Sequence, residues 1–137
     1  MHWTIDSRRR VFVVTCDGNV DLAEANAMLD AVVGANGLGY RKLFDGTNGN
    51  TQMSAIDMLS IGVRIRALQG RDLEHGPLAI VVPDDKHALM ARLLGILAAA
   101  RRPMRVFKDV KAARKWLDSP GIRAGLPAFD ERGALPV

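Results

Sequence analysis

Residues 43 to 62 read LFDGTNGNTQMSAIDMLSIG: an apolar strand ending at Asp45, a run of small polar residues, and a helix opening at Ser54. A hydroxyl at a helix start can take a phosphate, because the helix dipole and the free first-turn amides stabilise the added charge. Ser54 is therefore a candidate phosphorylation site, with Thr51 as a fallback, and Asp45, Thr47 and Asn48 are candidate polar contacts of an interaction or ligand loop. The same serine also suits a plain cap. Ser54-Ala-Ile-Asp57 is a capping-box-like pattern, in which the hydroxyl bonds a first-turn amide and contributes about 1 kcal/mol.

Other chemistries find no support in the residue types. "FDGT" is similar to the DxDGT phosphotransfer motif of haloacid dehalogenase-like enzymes, but Leu43 stands where the aspartate nucleophile is needed. Gly46 and Gly49 suggest a phosphate cradle, yet "GTNGN" has neither the lysine nor the spacing of a P-loop. The histidines, His2, His75 and His87, show no metal-ligand spacing, and Cys16 stands alone, so no metal and no cofactor is expected. His87 near Asp84 and Asp85 reads as a solvent-facing helix start, where aspartates are favoured. No G-x-S-x-G elbow exists for a hydrolase triad. The expectation is a protein that is not an enzyme.

Composition bounds the rest. A chain of 137 residues with 48% hydrophobic and 25% charged residues predicts one packed domain. The net charge of +4 raises the question of nucleic acid. Its basic clusters, Arg8 to Arg10 and Arg101, Arg102 and Arg105, fit a turn and a helix end, and aromatics are only 5% of the chain. No nucleic-acid partner is expected. Cys16 in "VFVVTC" reads as a small buried hydrophobe. The start of the chain has no apolar stretch of the signal-peptide kind, and the segment from Ala88 to Ala100 is too short to span a bilayer and contains Arg92. Cytoplasmic location, with no membrane span, is the expectation.

Hydrophobic spacing supplies the elements. Strands are predicted at Trp3 to Ile5 and Arg10 to Cys16, joined by a turn and closed by Asp17-Gly18. A helix capped by Asp21 buries Leu22, Ala25, Leu29, Val32 and Val33. "YRKLFD" is the third strand and Met53 to Leu68 the second helix; Pro77 opens the strand "LAIVV". A third helix follows Asp84-Asp85, then the strand "MRVF" and a last helix capped by Asp109. The order β-β-α-β-α-β-α-β-α implies a single α/β domain over residues 1–118, with a mixed, mostly parallel sheet and about four helices. Residues 119–137 read as an irregular arm. The third helix, charged only at Arg92 between Ala88 and Ala100, is predicted to be buried on several sides, in the core, in a homodimer contact, or along a groove for an apolar ligand.

This order, the strand "KLFD" leading through a polar loop to Ser54, and the stretches "GPLAIVVPDD…ARLLGILAAA", "RVFKDVKAARKWL" and "DGNVDLAEANAMLDAV" resemble STAS domains, and more closely the SpoIIAA-like (STAS/SEC14-like) group of small bacterial proteins. The similarity covers roughly residues 3 to 118. It implies a non-catalytic regulatory or protein-interaction module with a protein partner, switched at the loop before the second helix. In that family a phosphorylatable serine opens the helix within D-S-[ST]-G-L; here the region reads "QMSAIDML", so only Ser54 can take the role. The SEC14-like side implies an alternative: a carrier of a small apolar or lipid-like ligand beside the third helix, with Arg92 or Arg102 meeting an anionic head group.

Overall fold

The structure, a computed structural model, describes residues 1–69, 75–98 and 102–123. Its elements in chain order are β1 (His2–Asp6), β2 (Val11–Asn19), α1 (Leu22–Gly34), β3 (Arg41–Asn50), α2 (Ala55–Leu68), β4 (Leu78–Val81), α3 (Asp85–Ala98), β5 (Met104–Phe107), α4 (Val110–Leu117) and α5 (Pro120–Arg123). β1 and β2 form an antiparallel hairpin, and β2 to β5 run parallel in sequential order, giving a five-stranded sheet β1-β2-β3-β4-β5. The chain is thus an α/β domain with the mostly parallel mixed sheet its alternation implies.

Sequential parallel strands joined by crossovers of one hand put the connecting helices on one face. α1, α2 and α3 lie together there, and α4 covers the other face, where Ala113 and Leu117 pack with Leu43, Ala79 and Val81. The caps fall where the sequence placed them. Asp21 accepts from the Glu24 amide at 2.8 Å, and Asp109 accepts from the amides of Lys111 and Ala112. Ser54 and Asp57 form a reciprocal capping box.

Three expectations change. The polar run after Asp45 is not a loop as far as Asn50: past a bulge at Thr15/Asp17, Asp17–Asn19 of β2 pair with Asn48–Asn50 of β3, so Asp17-Gly18 does not end its strand. Gly46 and Gly49 are there for close approach rather than for an anion. A Cβ on Gly49 would lie 2.7 Å from the Cβ of Cys16, and one on Gly46 would lie 2.8 Å from the Val81 carbonyl oxygen. Second, α3 is not buried all round: Leu89, Leu93 and Ile96 are exposed. Third, the assumed arm begins with helix α5, whose Ile122 is buried against the α4 face, because an apolar residue one short turn past α4 can still reach that core. Residues 124–137 of that arm, with Ala99, Ala100 and Arg101, lie outside the described residues. Among the described residues no helix is long and apolar enough to cross a membrane.

Candidate functional site

The helix-covered face of the sheet is built in rows. Parallel register sets Phe12, Lys42, Leu78 and Met104 side by side across β2 to β5, and Val14, Phe44, Ile80 and Val106 in the next row but one. Strand alternation aims all of these at α1 to α3. Yet the buried residues on this side fall into two separate clusters. Phe12, Val14, Cys16, Val20 and Val32 hold to the sheet, while Ala25, Leu29, Ile61, Ile65 and Ala98 hold the helices to one another. Between them lies a cavity of about 230 Å³. Its wall is almost wholly apolar and includes Met28, Met53, Met58, Met90 and Met104, side chains that adapt easily to an occupant.

The two ends of the cavity differ. At the end where the parallel strands begin, Lys42, His75 and Arg102 line it. Lys42, 8% exposed, donates through Nζ to the carbonyl oxygens of Leu38 at 2.5 Å and Tyr40 at 2.9 Å. Burial, reinforced by the nearby Arg102 charge, lowers its pKa to about 7. The His75 Nε2 is 2.9 Å from the Ile65 carbonyl oxygen and so carries the proton it donates. Burial keeps this ring from charging, and Arg102 and Lys42 add to that. Burial brings the Arg102 guanidinium down to about 10, which leaves it charged at neutral pH, and among the described residues its buried Nε has no hydrogen-bond partner. Among the described residues no aspartate or glutamate lines the cavity. Buried cations without a counter-charge are strongly disfavoured, which makes this basic end costly to the fold.

At the opposite end, where the strands finish, Gly46, Gly49, Asn50, Thr51 and His87 form a polar rim. His87 is half-buried rather than solvent-facing, with Nδ1 2.7 Å from Asp84 Oδ1 and Nε2 3.3 Å from Asn50 Oδ1. The Asp84 carboxyl is held below its usual range, first by the His87 amide hydrogen bond and then by the His87 ring. Cys16 faces the cavity, and burial raises its thiol to about 11, so it stays protonated and apolar in character.

Of the residues picked out in the sequence, Arg102 and Thr51 line the cavity, at opposite ends. Thr51 Oγ1 donates to the Val20 carbonyl oxygen at 2.8 Å and accepts from the Met53 amide, which commits it to shaping the rim. Ser54 is exposed, with its Oγ 3.1 Å from the Asp57 amide that it caps. Asp45 accepts from the amide and hydroxyl of Thr47, at 3.1 and 2.6 Å, so these two are satisfied by each other. Asn48 is exposed and paired in register with Asp17. Arg92 lies on an exposed part of α3 and does not line the cavity. Lys42 and His75 were not singled out. A signal for Lys42 exists: it shares strand parity with Phe44, so alternation alone puts it on the covered face. His75, just before β4, carries no local sequence signal. Among the described residues no group of three or more His, Cys, Asp or Glu side chains could hold a metal ion.

No protein-family model, curated protein or solved structure matches this chain.

Proposed function

We propose that the domain is a binding protein for a small, largely apolar ligand held between the sheet and α1 to α3. The observation that carries this reading is the cavity itself: an apolar space of about 230 Å³ separating two hydrophobic clusters that would otherwise merge. An engineered apolar cavity of roughly 150 Å³ is large enough for benzene, so this one admits on the order of ten non-hydrogen atoms. That is a fragment of a lipid, not a whole phospholipid. The ligand would be carried or sensed, since the Thr51 hydroxyl at the rim is engaged with Val20 and Met53 and burial keeps the Cys16 thiol protonated. The cytoplasm is the proposed location. With this goes the resemblance to SpoIIAA-like (STAS/SEC14-like) domains, which is favoured by the order of elements.

Native mass spectrometry of protein purified gently from cells tests the reading. The expected result is a bound organic mass released on denaturation. Ala91→Trp, which puts an indole at the cavity wall, should come out empty. Protein that is empty from every source and takes up no apolar probe would end the proposal.

A second reading, a regulatory protein-interaction module, has its own support on the outer surface. Ile56, Leu59 and Val63 of α2 and Leu89, Leu93 and Ile96 of α3 are exposed on two helices packed against each other. Adjacent apolar stripes of this kind mark contact surfaces. Ser54 heads α2 two residues before Ile56, so a phosphate there would change the edge of the patch. The occupant of this face, a second copy or another protein, is part of this second proposal.

A further inference from the structure

Resting on the ligand-binding reading above, we infer that the ligand is a medium-chain monocarboxylate, bound with its acid group against Arg102 and Lys42 and its tail running toward the His87 rim. The inference starts from the donors left over at the basic end. Arg102 presents a planar fork of N–H groups, and its Nε is buried without a partner among the described residues. A native protein seldom leaves such a group orphaned unless something fills it. Lys42 has three ammonium protons and uses two on the carbonyls of Leu38 and Tyr40, leaving one for a further acceptor. His75 is spent on Ile65 and serves as a neighbour rather than as a contact.

An acceptor-only, flat group with two oxygens fits this set, since carboxylates pair with guanidinium bidentately. Among the described residues no carboxylate lines the cavity to do so. Charge argues in the same direction. One firm cation, Arg102, and one lysine held close to neutrality match a single negative charge better than two. A phosphate monoester would bring more charge and occupy about half of a space for roughly ten non-hydrogen atoms. The remaining wall, from Phe12 and Leu78 through Met104 and Leu94, offers a tail only apolar contact.

This places the acid at the end where the parallel strands begin. Open α/β sheets ordinarily bind ligands beyond the carboxyl ends of their strands. The inversion follows from where the basic side chains are, Lys42 near the start of β3 and Arg102 before β5, with the uncharged His75 before β4 between them.

Isothermal titration calorimetry of the full chain with octanoate, 1-octanol and octyl phosphate tests the assignment, on wild type, Arg102→Met, Lys42→Met and Ala91→Trp. Octanoate should bind wild type at least about tenfold more tightly than octanol, the scale of a charge-assisted hydrogen bond. Arg102→Met should erase that preference and keep octanol binding, which also shows that the variant is folded. Equal affinity for octanoate and octanol, a preference that survives in both Arg102→Met and Lys42→Met, or tighter binding of octyl phosphate would overturn the carboxylate inference while leaving the cavity reading standing. No binding of any probe, or unchanged binding by Ala91→Trp, would overturn both.

Discussion

Lys42 of β3 stands directly beside Phe12 of β2 in the parallel register, on the sheet face that floors the cavity. Phe12 is 1% exposed and Lys42 8%, so a lysine occupies a place built for a hydrophobe. Buried lysines are disfavoured unless paired, and this one is answered by carbonyls and opposed by the Arg102 cation. A fold selected for stability alone would put an apolar residue there. On the ligand-binding reading, the cost of burying this lysine is a strain that a bound carboxylate would relieve.

The strain has a pH signature. Lys42 titrates near 7 in the folded protein against 10.5 in an open chain, so between these values the unfolded state binds more protons. Stability therefore carries the full penalty below about pH 7 and recovers as pH rises toward 10.5. Urea denaturation of wild type and Lys42→Met at a series of pH values isolates this group. Wild type should gain on the variant with rising pH, by an amount on the order of a few kcal/mol at most. Parallel curves would mean that Lys42 is charged throughout and fully answered by its carbonyls.

Ligand affinity should run the other way. A bound carboxylate favours charged Lys42, so above about pH 7 binding must draw in a proton, and octanoate affinity should fall as pH rises. Among the described residues the titratable groups facing Lys42 are Arg102, which stays charged until about 10, and His75, which burial keeps neutral. Binding should thus weaken without disappearing. Calorimetry at pH 8 in two buffers of different ionisation heat would reveal the proton uptake, and buffer-independent heats would remove Lys42 from the head-group contact.

How far the sequence carries depends on whether a feature is local. Asp21, Ser54 and Asp109 cap their helices through contacts spanning two or three residues, and such contacts can be read directly from a chain. The apolar runs at β2 and β4 were equally plain. The extension of β2 and β3 beyond the bulge was hidden, because Asp17-Gly18 and Gly46 to Asn50 carry turn-forming residues whose pairing is set by the opposite strand. The basic end was hidden for the same reason. Lys42, His75 and Arg102 are far apart in sequence and meet only because β3, β4 and β5 are adjacent and parallel. Arg102 could be named from the sequence as a charge near a helix end and, through the SEC14-like resemblance, as a candidate head-group contact; its position beside Lys42 requires the sheet order.

The glycine near that bulge gives a stability test. Any side chain at Gly49 would drive its Cβ into that of Cys16, an atom fixed directly to its backbone rather than the end of a flexible side chain. Gly49→Ala should cost roughly 1–3 kcal/mol, as overpacking does in a tight core. Pairing it with Cys16→Gly, which removes the opposing atom, should return part of the loss in a double-mutant cycle. Strictly additive effects would show that the two strands separate here with little resistance.

The outer face makes the last prediction. Leu93 sits mid-way along the α3 stripe and is 48% exposed, so Leu93→Glu should leave the unfolding midpoint within about 0.5 kcal/mol of wild type. If the stripes of α2 and α3 join two copies, sedimentation should show wild-type mass rising with concentration while Leu93→Glu remains monomeric. A wild type that is monomeric at every concentration would instead reserve the face for a different protein. Ser54→Asp then becomes the informative variant, since aspartate caps α2 as well as serine does and leaves only the patch edge changed. Altered capture of an identified partner by Ser54→Asp, with α2 intact, would support the switch, and unchanged capture would leave Ser54 as a helix cap alone.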